Sequence, residues 1–156
     1  MSLSSRDAPA LQGPTALLLL AFGGYGVGGR YAFPISGSIL GSPTLRDGFA
    51  VEVGADYVRW SESLGSYGKY SWSVLRVAGG VMWDIWVTEQ LAFYPKIELG
   101  YNRFSYNYNG FTGSLRSDSP LFFNGAGGAM YRLQSGLTAR AELGYMGLAV
   151  GAGWLF

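Results

Sequence analysis

The chain contains neither cysteine nor histidine among its 156 residues. The first absence excludes disulfide frameworks and thiolate metal sites, and the second removes the commonest general base and metal ligand. Charge is scarce too: 13% of the residues are charged, where roughly a quarter is ordinary for a soluble domain. The formal net charge is +1, which makes no case for nucleic acid as a partner. No apolar run approaches the ~18 residues of a membrane helix, and the longest candidate is Ala16 to Phe22 within TALLLLAF. That run is long enough for the apolar core of a secretory signal, yet the charges before it, Arg6 and Asp7, cancel, and no A-x-A-like site follows. A first strand is the favoured reading, after a flexible segment over residues 1–14. Helical periodicity is missing, and glycines interrupt nearly every window, which is costly in a helix interior.

What the chain has instead is glycine, 25 residues of it, 16% aromatic residues, and alternation with a period of two. In LAFYPKIELGY the apolar face is Leu91, Phe93, Ile97, Leu99 and Tyr101, while Lys96 and Glu98 occupy the other. FAVEVGADY sets Phe49, Val51, Val53 and Tyr57 against Glu52 and Asp56; LTARAELGY sets Leu137, Leu143 and Tyr145 against Arg140 and Glu142. Turn signals predict eight strands, near residues 15–23, 26–34, 48–60, 70–86, 91–105, 120–133, 137–145 and 148–156. Long polar connections, SESLGSYGKY and SYNYNGFTGSLRSDS, alternate with tight ones, VTEQ and QSG. Residues 35–48 form the exception, a long connection on the short-turn side. Parity is disturbed near Trp72 to Leu75, which suggests a β-bulge there.

The placement of charge separates two kinds of barrel. Arg30, Glu52, Asp56, Arg76, Asp84, Lys96, Glu98, Arg132, Arg140 and Glu142 all fall opposite the apolar stripe, and the other charges fall in loops, turns, the N-terminal tail or strand ends. A soluble lipocalin-like barrel would show the same alternation with the faces reversed. About one charge per strand is too little polarity for a whole water-exposed exterior, and it suits a narrow lumen. The expected fold is all-β: an eight-stranded antiparallel transmembrane up-and-down β-barrel over residues 15–156.

The sequence resembles the small eight-stranded outer-membrane barrels of Gram-negative bacteria, the group containing the OmpA transmembrane domain, OmpX and OmpW. The residues that carry the resemblance are the alternation, the asymmetry of loops and turns, the hairpin WDIWVTEQLAFYPKIELGY, and above all the ending GLAVGAGWLF. In that family the last strand ends on an aromatic residue, preceded by apolar residues at alternate positions, and is read by the outer-membrane assembly machinery. Leu148, Val150, Ala152, Trp154 and Phe156 match it. The resemblance implies a bacterial outer-membrane location, with membrane lipid and lipopolysaccharide around the barrel and a protein partner at the long loops or barrel wall. It also brings in enzymatic barrels, but the lipid A deacylases, the outer-membrane phospholipase, the omptins and the palmitoyl transferases use a histidine that this chain lacks. The expectation is a structural or interaction protein with no catalysis, no cofactor and no metal.

Two sets of residues remain with alternatives. The lumen cluster, counted by sign, has five basic and five acidic members; it is a self-paired plug, or the lining of a small pore or a lumen ligand site. A balanced set can pair internally, as buried charges must, whereas ion pores commonly carry rings of one sign. Arg76 is expected between Asp56 and Glu52 on one side and Glu98 on the other, with Arg132 near Arg140 and Glu142. In the loops, Tyr67, Tyr70, Tyr106, Tyr108 and Phe111 have the composition of an adaptable recognition surface. Tyr101, Phe104 and Trp72 read as an aromatic girdle at the headgroup level. The glycines from Gly23 to Gly29 lack the following helix that a phosphate loop needs, and hairpin geometry with room for lumen side chains accounts for them.

Overall fold

The structure, a computed structural model, describes residues 12–21, 23–35, 37–40, 42, 44–63, 65, 68–108, 111–115, 120–133, 136–145 and 147–155. Nine strands run through them in chain order: β1 (Gly13–Ala21), β2 (Gly24–Ile35), β3 (Arg46–Ser63), β4 (Lys69–Trp86), β5 (Leu91–Tyr108), β6 (Phe111–Leu115), β7 (Leu121–Arg132), β8 (Leu137–Gly144) and β9 (Gly147–Trp154). All pairings are antiparallel, and β1 closes the sheet by pairing with both β2 and β9. Eight strands make an up-and-down barrel, closed because each pairs with a neighbour on both sides. The apolar run from Ala16 is therefore a strand. The ninth strand, β6, lies in a segment expected to be loop, and pairs with β5 above the point where β7 leaves it.

Alternation sorts the faces as the sequence implied. Leu99, Phe123 and Leu143 stand 64–69% exposed on the outside, whereas Glu52, Asp56 and Lys96 are 2–3% exposed within. A lipocalin-like barrel would carry these faces the other way round. The expected bulge is not there: Asp56 faces Arg76, Val58 faces Val74 and Trp60 faces Trp72 in unbroken register. Parity seemed disturbed because the inner face turns apolar above Arg76. Trp72, 37% exposed, and, on β5, Phe104, half-buried, share that inner parity near the loop rim, whereas Tyr101 points outward.

The wall is uneven in height. β3, β4 and β5 are 18 residues each, while β8 and β9 are 8 each, against the roughly 9–11 that a spanning strand needs. On the loop rim, two-residue turns join β1 to β2 and β8 to β9, with Ala21 opposite Gly24 and Gly144 opposite Gly147. Gly23 takes φ 76° in the first of these, a left-handed conformation that favours glycine. The tall wall of β3 to β6 thus rises beside a low one. On the turn rim, Val87 and Thr88 donate their N–H groups to the Leu91 carbonyl in the tight β4–β5 connection.

Candidate functional site

The lumen is filled in three layers. Toward the turn rim lie Ala32, Ala50, Met82, Trp86, Ala92, Tyr94 and Met130, with Leu155 packed against them. Toward the loop rim lie Leu17, Leu19, Ala21, Val58 and Ala149, with Trp60 against them. Between these apolar layers sit eight charges. Buried between apolar layers at 2–6% exposure, the charges must largely satisfy one another.

They do so as two fused rings of alternating sign. Asp56 receives Arg30 at 2.5 Å and Arg76 at 2.6 Å; Arg76 lies 3.4 Å from Glu98, and Glu98 lies 3.0 Å from Lys96. Lys96 reaches Glu52 at 3.1 Å, and Glu52 returns to Arg30 at 3.6 Å. The second ring shares the Lys96 and Glu52 edge: Lys96 meets Glu142 at 2.8 Å, Glu142 meets Arg140 at 2.7 Å, and Arg140 pairs with Glu52. Four cations face four carboxylates, so the network is neutral. Glycines make room for it, since a Cβ on Gly28 would stand 2.1 Å from the Asp56 carboxylate and one on Gly54 2.5 Å from the Arg30 stem.

The partners differ from the expected ones in two places. Glu52 does not pair with Arg76; it crosses the lumen to Arg140 and Lys96. Arg132 stands opposite Thr138 near the turn rim, half-buried and outside the rings. Asp84, on the expected face, accepts a hydrogen bond from the Trp86 indole at 2.7 Å and joins no ion pair among the described residues. Two neutral members were not singled out. Asn124 donates to Glu98 at 2.9 Å, and the Tyr94 hydroxyl accepts from Arg140 at 2.6 Å and donates to Glu142 at 3.2 Å. Even parity on β5 was the signal that would have found Tyr94. A pocket of about 20 Å³ beside Arg30, Arg76, Asn124 and Glu142 has room for a water molecule and not for an organic ligand.

The other expected residues lie on the surface or rims. Leu148, Val150, Ala152 and Trp154 face outward on β9, whose ladder ends at Trp154, while Leu155 turns inward and donates its N–H to Gly136. Phe156, Tyr67 and residues 1–11 lie outside the described residues. Tyr70 and Tyr106 are half-buried on the inner parity of the tall wall, and Tyr108 is exposed opposite Phe111 of β6. Trp60 and Trp72 stack on that inner face with centroids 4.1 Å apart and planes 9° from parallel.

No family model and no curated protein sequence matches the chain. Among solved structures it is similar to Ail, the attachment invasion locus protein of Yersinia pestis, at 11% identity and a TM-score of 0.55, covering 92% of this chain and 94% of that one. It is also similar to a de novo designed transmembrane β-barrel, at 18% identity and a TM-score of 0.51, covering 98% and 100%. At such identities the likeness is one of fold, and the fold is that of the closed eight-stranded transmembrane barrel.

Proposed function

We propose that the protein is an integral barrel of the bacterial outer membrane that works by interaction at its surface, with a lumen that neither conducts nor catalyses. The observation that carries this reading is the neutral pair of charge rings held between two apolar layers. Every carboxylate in the rings is engaged by a cation, which leaves none free as a general base, and histidine is absent. With the lumen so occupied, the working surface is the tall wall of β3 to β6 and its rim, where Tyr70, Tyr106 and Tyr108 gather. Membrane lipid and lipopolysaccharide would surround the barrel. The ending from Leu148 to Phe156 would serve as the address read during assembly.

Planar-bilayer recording tests the lumen. The wild type should be nearly silent, and Arg76→Ala, which opens space and leaves a net negative charge, should admit cations. Steady ohmic conductance in the wild type, unchanged by Arg76→Ala, would instead establish the small-pore reading. A photo-crosslinking residue in place of Tyr106, compared with one at Tyr145 on the low rim, tests the wall in intact cells. Adducts should form from the first position and not the second; equal yields would remove the wall as the working surface.

A further inference from the structure

The long connection between β2 and β3 is out of place on a rim whose other turns are short. Its described residues do not extend away from the barrel. Gly37 lies beside Phe49, whose Cδ2 would be 3.7 Å from an added Cβ, and Phe49 in turn stacks on Trp83, 6.1 Å away and 12° from parallel. Both rings belong to the outward parity of β3 and β4. The Asp47 carboxylate, 5% exposed, holds the segment there: it accepts hydrogen bonds from the Ser38 hydroxyl, the Ile39 N–H at 2.9 Å, the Leu40 N–H at 3.3 Å and the Trp83 indole at 2.9 Å.

So folded, the segment presents Ile39, 67% exposed, and Leu40, 38% exposed. Phe33 and Ile35 of β2, also exposed and outward, join them to the lipid-facing belt. We propose that this connection is an interfacial foot, seated in the headgroup region of the phospholipid leaflet at the turn rim. Two isoleucines, a leucine and a phenylalanine in one band would be costly to hold in water. Backbone amides moved toward lipid need partners, and Asp47 supplies them to Ile39 and Leu40. Trp83, an indole at the edge of the belt, is of the residue type enriched at that level. Phospholipid is the occupant because the band continues the surface that the barrel already gives to lipid.

The chain has no cysteine, so single-cysteine variants can carry an environment-sensitive fluorophore. Ile39→Cys, Leu99→Cys and Glu89→Cys would be labelled and reconstituted in phosphatidylethanolamine and phosphatidylglycerol vesicles containing doxyl lipids. Relative to Glu89→Cys in its polar turn, Ile39→Cys should emit further to the blue, resist iodide, and be quenched more by a shallow doxyl group than by a deep one. Leu99→Cys should be quenched more by the deep one. Adding Asp47→Ala should abolish the quenching at position 39 and leave that at 99 unchanged. Water-like emission and full iodide access at Ile39→Cys would overturn the foot. So would protection from both quenchers, which would mean that a second copy or another protein covers the band. Loss of lipid quenching at Leu99→Cys would overturn the foot and the spanning barrel together.

Discussion

Asp56→Asn removes one negative charge from the lumen with almost no change of shape. The carboxylate receives N–H bonds from Arg30 at 2.5 and 2.6 Å and from Arg76 at 2.8 and 2.6 Å. Removing one partner of a buried ion pair costs about 3–5 kcal/mol. One anion here serves two cations, and their other carboxylate contacts, at 3.6 Å to Glu52 and 3.4 Å to Glu98, are too long to compensate. The loss should therefore approach about 5 kcal/mol, against a total stability of about 5–15 kcal/mol for an ordinary domain. Gly28→Ala attacks the same contact from β2 by pressing a methyl onto the carboxylate, and overpacking of this kind costs about 1–3 kcal/mol. Equilibrium urea unfolding from lipid vesicles, followed by the fluorescence of the five tryptophans, measures both. Asp56→Asn combined with Arg30→Met restores neutrality and should recover part of the loss. An Asp56→Asn variant within about 0.5 kcal/mol of the wild type, the range of an ordinary surface change, would refute the claim that the rings hold the barrel together.

Leu99→Arg places a charge on the outward face of β5 in mid-strand and should cost about 2–4 kcal/mol in a bilayer. Ser114→Arg, at an exposed position of β6 above the belt, should leave the unfolding free energy nearly unchanged, and equal losses for the two would contradict the assignment of faces. Deleting Phe156 should reduce insertion in cells more than refolding into detergent, where no machinery reads the ending; matched losses would confine its role to packing.

The period-two pattern carried most of the fold because a closed barrel asks one simple thing of each strand: one face for lipid and one for the lumen. The eight strands of the closed barrel followed from counting such segments and the connections between them. The departures cluster at the top of the tall wall. Residues 106–115 are rich in Tyr, Asn and Gly, which is loop composition, yet Phe111 to Leu115 form a strand because β5 runs on to Tyr108, past the end of its pairing with β7 at Tyr101, and the returning chain pairs with that stretch. Trp72 and Phe104 have the residue type and the strand-proximal position of a headgroup girdle, yet both share the inner parity of their strands. An inner face that changes from charged to apolar along one strand gives no signal in alternation alone.

The partners in the rings were legible only where they sit side by side. Asp56 and Arg76 are direct cross-strand neighbours on β3 and β4, and folding the hairpin in sequence brings them together. Glu52 is flanked by Ala32 on β2 and Gly80 on β4, neither of which can pair with it. Arg140 is flanked by Met130 on β7 and Gly151 on β9. Neither side chain has a charged partner directly opposite it on a neighbouring strand, so each also extends across the lumen, and they meet despite a separation of 88 residues. Which carboxylate meets which cation across a barrel depends on strand tilt and diameter, which the alternation does not encode. Neutrality is encoded, because a narrow lumen between apolar layers tolerates charges only in balance. Eight of the ten charges expected on the inner face make up the rings, Arg132 and Asp84 standing apart, and the wiring of the eight is a consequence of closure.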